Sequence, residues 1–384
     1  MLSWIFLSII FVGSWCLLPS IGWKMYASVV IFCAGFFGLT SKFPLKYSAH
    51  SNRETKNQLK IWKNTHHTWD ETTLKVIAEN VFKRFQNDWT AQDMRFFSEY
   101  LSERYVPQVM CMVQALQELN RRNVMEHVRV LSVRIIRASE DDGSPRFVAA
   151  IQAQAYDRLF EHEHVIFEDR SVFLELWSFV WEQGNWKLDA IGQSTRNDSR
   201  LQSSLSEFAR LNNLYYSPDW GYLLMPRRGG LFSAASFGES DINNHCLGYY
   251  RGVLIQLYTY FPWKDNKTEY VVAQVTVPKT YGTIFMRPKR WWNIPQFRLK
   301  RILLEWNEFN QKYELYASDM ERATSLELLH PAYMERVMAA GFPISIQVND
   351  RTIYLAARVE KVQTAEAYKV LLDLTHEAFK ELKM

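Results

Sequence analysis

The change of hydrophobic period near residue 124 constrains the fold of this chain more than any other feature. Before it, residues 68–119 carry apolar side chains at helical spacing in three successive runs. After it, residues 127–193 alternate between apolar and polar side chains, as β-strands do. Three helices followed by antiparallel strands predict an α+β unit whose helices pack on one face of a curved sheet.

Each of the three helical runs has its own start signal. Thr68 opens a capping box with Glu71, Thr90 and Asp93 repeat that signal, and Ser102 precedes the third run. The third helix is expected to end between residues 120 and 123. The Arg121-Arg122 pair is expected to face its last carbonyl groups, where cations are favoured.

Four strands are predicted, at residues 127–138, 146–157, 165–182 and 186–193, with turns at Asp142-Gly143 and Gly184-Asn185. The second strand places small side chains, mainly alanine, on one face, which allows a helix to approach the sheet closely. The third strand is long and aromatic, as a strongly bent strand would be.

The first 46 residues differ in kind, because they contain two uncharged apolar runs separated by a short turn at residues 19–24. Each run is near the minimum length for crossing a bilayer, so we expect a transmembrane helical hairpin. One signal anchor with a re-entrant piece is the alternative. Lysines and arginines follow the second run, which predicts that the rest of the chain lies in the cytoplasm at a bacterial inner membrane. Residues 47–67 are predicted to form a basic linker.

A second α+β unit is predicted for residues 244–384, after a linker at residues 196–243 that contains a helix at 199–214. Two hairpins are expected in this unit. One turns at residues 264–267, and the other turns at Asn349-Asp350. A terminal helix begins near Thr364 and carries one apolar face.

Catalytic motifs are missing from the sequence. It has no Ser-His-Asp order, no phosphate-binding loop and no paired carboxylates at catalytic spacing. The four cysteines form no CxxC pair. His162 and His164, with Glu161, Glu163 and Glu168 or Asp169, suggest a metal site, but a solvated hairpin tip explains them better. We therefore expect neither catalytic residues nor a metal or cofactor.

Residues 68–195 resemble a known family. The stretch from Val81 to Val124, with its long first helix and leucine-rich third helix, is similar to the C-terminal domain of the mitochondrial import-motor anchor (Tim44-like) family. That family includes the mitoribosomal membrane anchor and bacterial membrane-tethered relatives. The resemblance implies an NTF2-like cone and a role in membrane-associated protein transport.

Residues 245–380 resemble a bacterial domain of unknown function, DUF3137. The similarity rests on a Phe-Asn pair before a strand, an acidic turn and a helix start with leucine, proline and Met-Glu. These features fall at Glu308, Phe309, Asn310, Tyr316, Asp319, Leu329, Pro331, Met334 and Glu335. The resemblance implies attachment to membrane segments and no known chemistry.

Two sets of residues are candidates for binding. Aromatic side chains of the cone are candidates for lining a pocket, with core packing as the alternative: Phe85, Trp89, Tyr156, Trp177, Trp181 and Trp186. A basic run with interleaved aromatics is a candidate for contact with anionic lipid or RNA: Lys289, Arg290, Trp291, Trp292, Arg298, Lys300 and Arg301.

Taken together, these features predict a membrane-tethered, non-enzymatic scaffold or adaptor that binds protein partners of a translocation or envelope assembly. One alternative is a cone pocket that binds or hydrolyses a small hydrophobic ligand. The other is docking of ribosomes at the membrane, in which ribosomal RNA would be the nucleic acid bound. The charge of +4 is too small and dispersed to indicate nucleic acid otherwise.

Overall fold

The structure is a computed structural model of the 384-residue chain. The residues it describes are 55, 57–62, 69–140, 144–193, 202–217, 221–225, 242–261, 269–289 and 299–383. They form two α+β units, each built around an antiparallel sheet.

Three helices open the first unit, and their bounds are α1 Glu71–Ala91, α2 Phe97–Tyr100 and α3 Val106–Glu118. The side chain of Asp70 caps α1 by accepting a 3.0 Å hydrogen bond from the backbone nitrogen of Thr73. The capping residue is therefore Asp70, while the predicted cap, Thr68, lies outside the described residues. Thr90, predicted to start a second helix, is instead within α1.

Five strands follow: β1 Arg121–Ser139, β2 Arg146–Glu161, β3 His164–Asp169, β4 Val172–Glu182 and β5 Asn185–Gln193. All neighbours pair antiparallel. The register of β2 continues from β3 to β4, with Asp157 opposite Asp169 and Gln154 opposite Val172, and it shifts only between Leu159 and Phe160. The single strand predicted at residues 165–182 is therefore nearly right. It is interrupted where Ser171 donates two hydrogen bonds to the carboxylate of Asp169.

The core of the first unit lies between the helices and one face of this sheet. Ala149, Ile151, Ala153 and Ala155 of β2 are all buried on that face, as their small side chains predicted. Leu59, within the segment predicted to be a linker, is helical and buried in the same core.

The second unit carries a seven-stranded sheet with helices on one face. Its strands are β6 Tyr215–Ser217, β7 Ile242–Tyr250, β8 Val253–Tyr260, β9 Tyr270–Pro288, β10 Lys300–Ile302, β11 Tyr313–Ala317 and β12 Ser345–Arg358. Its helices are α4 Gln202–Leu211, α5 Asn307–Lys312, α6 Arg322–Leu328, α7 Pro331–Ala339 and α8 Ala365–Leu382.

The long strand β9 is the spine of the second sheet, because β8, β11 and β12 all pair with it. The antiparallel pairing of β8 with β9 confirms the hairpin predicted around residues 264–267, although those turn residues lie outside the described part. The helix predicted at 199–214 is present as α4, and Thr364 caps α8 as predicted.

The hairpin predicted to turn at Asn349-Asp350 was wrong. Residues 345–358 form the single strand β12, which follows β9 along its length with register shifts on either side of Asp350. Asp350 adopts a φ of 54°, the left-handed region that aspartate tolerates better than most residues. The Asn-Asp signal therefore marks a bulge inside a strand and not a turn between two strands.

The fold-class prediction needs a correction at its N-terminus. The structure shows an α+β protein with two antiparallel sheets, and no helix in its described part is long and apolar enough to cross a bilayer. The transmembrane hairpin placed at residues 1–46 lies outside the described residues, so no described element supports it.

Candidate interaction surface and junction cavity

The aromatic side chains predicted to line a pocket lie mainly in the core of the first unit. Phe85, Trp89, Trp177 and Trp186 are all buried there. The ring of Phe85 stacks on that of Trp89 at 5.8 Å and meets Trp177 edge-on at 5.5 Å. Trp181 is half-buried and packs edge-on against Trp186 at 5.3 Å. These rings fill space between helix and sheet, where aromatic pairs stabilise a core.

Tyr156 is separate from that group, because it lies on the opposite face of the sheet. Its hydroxyl donates a 2.8 Å hydrogen bond to Glu168, and the guanidinium of Arg170 lies 3.9 Å from the centre of its ring. The six predicted residues therefore do not converge on one site.

The predicted lipid or RNA contact is described at only three of its seven residues. Lys300 and Arg301 lie in the short strand β10 and pair with Asp319 at 2.8 Å and Glu314 at 3.9 Å. Lys289 follows β9, and its backbone nitrogen donates to the carbonyl of Lys312. Arg290, Trp291, Trp292 and Arg298 lie outside the described residues.

We call the face of the first sheet that points away from the helices the outer face. Cross-strand pairing assigns its members, since residues directly opposite each other share a face. Its apolar members are Val148 and Ala150 of β2 and Val172, Leu174 and Leu176 of β4. Its charged members on β1 are Arg129, Arg134 and Arg137, opposite Gln154, Ala150 and Val148, and Glu126, which lies opposite Tyr156 and forms an ion pair with Arg158.

Charge and hydrophobicity are segregated across the outer face. Along β4, Val172 is 48% exposed and Leu174 and Leu176 are half-buried. Along β1, Arg129 and Arg137 are exposed and form no ion pair within the described residues, and Leu131 beside them is 41% exposed. The outer face thus joins an apolar strip to a row of arginines, a composition suited to a partner with apolar and acidic groups.

One buried arginine joins the two units. Arg121, at the start of β1, is 3% exposed. Its guanidinium donates to Glu161 at 3.0 Å and to the backbone carbonyls of Leu223 at 2.9 Å and Met225 at 2.5 Å. Burial lowers the pKa of Arg121, which the nearby Glu161 carboxylate partly offsets. The predicted role of this residue at the end of α3 was wrong, because β1 begins there and its side chain turns into the junction.

A cavity of about 300 Å³ lies beside Arg121 between the two units. Leu119, Arg121, Glu161 and His162 line it from the first unit. The second unit contributes Leu224, Gln274, Thr276, Asp350, Arg351 and Thr352. Arg121 and Asp350 thus line the same cavity. Sequence analysis placed neither residue in a site, although the Asn349-Asp350 pair, which favours left-handed backbone, marks the position of the Asp350 bulge.

The histidines considered as metal ligands lie at the tip between β2 and β3, where both are exposed. His162 adopts a φ of 53° as part of that tight turn. Within the described residues, no group of three or more histidine, cysteine, aspartate or glutamate side chains is arranged to hold a metal ion.

The motif residues shared with the second family have structural roles. The Oδ1 atom of Asn310 accepts a 3.2 Å hydrogen bond from the backbone nitrogen of Leu304. Its Nδ2 atom donates a 2.6 Å hydrogen bond to the carbonyl of Leu304. Phe309 is buried and stacks on Tyr313 at 4.9 Å, and Pro331 occupies the first turn of α7. These contacts fix the connection from β10 into α5 and β11.

Two solved structures show distant likenesses to this chain. The mycobacterial trehalose monomycolate transport factor A, TtfA, aligns over 48% of this chain and 96% of its own, with 10% identity and a TM-score of 0.37. The intermembrane space region of the chloroplast protein ARC6 aligns over 32% of this chain and 95% of its own, with 16% identity and a TM-score of 0.25. Neither likeness carries a functional argument.

Comparison with known sequences supports one of the two predicted resemblances. No curated protein matches the chain. The Tim44-like resemblance of residues 68–195 is not confirmed and stays a prediction. Residues 263–378, within the second unit, match the model of a family described as "Protein of unknown function (DUF3137)", and the predicted relationship of this unit to that family is confirmed over those residues.

Proposed function

We propose that this chain is a non-enzymatic adaptor that binds a protein partner on the outer face of its first sheet. The observation that carries the proposal is the juxtaposition of the exposed Val172 and the half-buried Leu174 and Leu176 on β4 with the arginines of β1. The partner is a polypeptide surface with apolar side chains bordered by carboxylates, because such a surface complements both parts of the face.

The energetics favour a partner that covers the apolar strip. Exposed apolar surface that becomes buried gains about 25 cal/mol per Å², so the leucines and valines would supply the affinity. The arginines along the edge would contribute mainly to the association rate and to specificity, since exposed ion pairs are worth little individually. Strong salt dependence of the association rate with weak salt dependence of dissociation is therefore expected.

Site-specific photo-crosslinking in intact cells tests the proposal. A photoreactive amino acid at Val172 or Leu131 should capture the same protein, identified by mass spectrometry. Leu303 of the second unit, 72% exposed and apolar, is the matched control position and should not capture it. Capture from Leu303 with equal yield, or different proteins from Val172 and Leu131, would contradict binding at the outer face.

The predicted site of action at a bacterial inner membrane, and the predicted translocation or envelope assembly, stay predictions. The adaptor role proposed above depends only on described residues of the first sheet.

A further inference from the structure

The cavity beside Arg121, which we call the junction cavity, is lined by charged groups of both signs. Its two arginines, Arg121 and Arg351, are balanced by two carboxylates, Glu161 and Asp350. The lining therefore has no net formal charge when His162 is neutral. A ligand that complements this lining should be neutral overall and should carry one anionic group and one cationic group.

The bulge in β12 supplies one charge of each sign. Asp350, in the left-handed conformation, interrupts the alternation of side chains, so that it and the adjacent Arg351 both line the cavity. The Nε atom of Arg351 donates to the carbonyl of Val277 at 3.2 Å, which fixes the guanidinium. Neither Asp350 nor Arg351 forms an ion pair with any residue in the described part of the chain.

Gln274 adds a buried donor to the cavity lining. This residue is only 1% exposed, and its Oε1 atom accepts a 2.8 Å hydrogen bond from the hydroxyl of Tyr258. Its Nε2 amide makes no hydrogen bond with the residues that the structure describes. A ligand oxygen at this place could accept a hydrogen bond from the amide.

The first unit contributes a carboxylate on the other side. Oε1 of Glu161 accepts both hydrogen bonds from Arg121, at 3.3 and 3.0 Å, whereas Oε2 has no hydrogen bond within the described residues. The Oε2 atom of Glu161 and the carboxylate of Asp350 are thus hydrogen-bond acceptors, one contributed by each unit. Leu119 and Leu224 supply the apolar part of the lining.

We infer that the junction cavity binds a small zwitterion that carries an ammonium and a carboxylate, the chemistry of a free α-amino acid. The ligand carboxylate meets Arg351 and the Gln274 amide, and its ammonium meets Asp350 and Glu161. A volume of about 300 Å³ lies at the lower end of ligand pockets, which suits a molecule of this size. Because its contacts come from both units, the bound ligand also strengthens the junction.

Thermal unfolding and calorimetric titration of the full chain with a panel of free α-amino acids test this inference. At least one amino acid should raise the melting temperature, while its N-acetyl form and its carboxamide form, each lacking one charge, should not. Asp350→Asn and Arg351→Gln should each raise the dissociation constant of that amino acid at least tenfold. Asparagine keeps the size of the side chain and tolerates the left-handed conformation of residue 350.

Lys369→Gln is the matched control, because it removes an exposed charge of the second unit outside the cavity, and it should bind as the unaltered chain does. The inference is overturned if no amino acid of the panel raises the melting temperature. It is equally overturned if the singly charged derivatives act as well, or if both cavity variants retain full binding. Crosslinking from Val172 is unaffected by either result, so the adaptor proposal and this inference fail separately.

Discussion

At the scale of single residues, Arg121 is a buried side chain that connects the two units, beside the hydrogen bonds from Tyr249 to Glu118 and from Gln108 to the carbonyl of Tyr216. It is buried, and its three bonded partners come from β2 and from the segment at residues 221–225. Sequence reasoning could not assign this role. Two consecutive arginines after a helix normally stay solvated near its C-terminus. Arg121 differs from Arg122 because it pairs with Glu161, a residue distant in the sequence.

Replacement of Arg121 by methionine should destabilise the chain by about 3 kcal/mol, because the polar groups around the buried guanidinium lose their hydrogen-bond donor. Two backbone carbonyls and Glu161 lose their donor in this variant. Urea unfolding followed by circular dichroism measures the change. Arg122→Met, at the neighbouring exposed position, is the control and should lower the free energy of unfolding by at most about 0.5 kcal/mol. Equal effects of the two substitutions would contradict the role of Arg121.

His376 on α8 gives the fold a dependence on pH. Burial lowers its pKa below the usual 6.5, and the cations Lys380 and Arg251 lower it further, while Asp373 opposes them. The unfolded chain therefore takes up a proton at a higher pH than the folded chain. The contribution of His376 to the free energy of unfolding is fully present above pH 6.5. It is lost as the pH falls through the lowered pKa of the folded state.

His376→Gln should accordingly flatten the loss of stability between pH 6.5 and pH 5, where a single group contributes a slope of up to about 1.4 kcal/mol per pH unit. Free energies of unfolding measured at several pH values give this slope. An unchanged slope in the variant would show that other groups cause the acid sensitivity.

At the scale of elements, sequence periodicity predicted the three helices of the first unit, its sheet and the terminal helix. It did so because each element buries one continuous face, as the alanines of β2 and the apolar face of α8 illustrate. It failed at Asn349-Asp350, since turns and bulges use the same left-handed residues. It also could not show whether Phe85 and Trp177 enclose space or fill it, because that depends on distances between elements.

The hairpin turns offer an element-scale prediction. Gly184 between β4 and β5 and Gly252 between β7 and β8 have φ values of 78° and 81°, and an added Cβ would meet no atom at either place. Substitution by alanine therefore costs only backbone strain, about 1 kcal/mol each. The double variant should lose the sum of the two, because the turns belong to different units. Denaturant unfolding of both single variants and the double variant measures this. A cost near zero at either position would contradict the turn conformation.

At the scale of the whole molecule, the two units share one apolar cluster. Leu223, Leu224 and Leu247 of the second unit pack with the buried residues of the first. This packing and the hydrogen bonds of Arg121 hold the two units in contact at the junction cavity. Sequence patterns gave the two units but not this contact, because a junction has no periodicity of its own.

The central claim, that the outer face of the first sheet binds a protein partner, is tested most directly by quantitative co-purification. The unaltered chain, a Leu174→Glu/Leu176→Glu variant and a Leu303→Glu/Met320→Glu control would be purified from the same cells at equal expression. Truncation of central apolar residues commonly costs 2 kcal/mol or more at an interface, on the order of a thirtyfold loss of affinity. We expect the partner captured by photo-crosslinking to disappear from the outer-face variant and to be retained by the control, with both variants folded. Full retention by the outer-face variant would contradict the central claim.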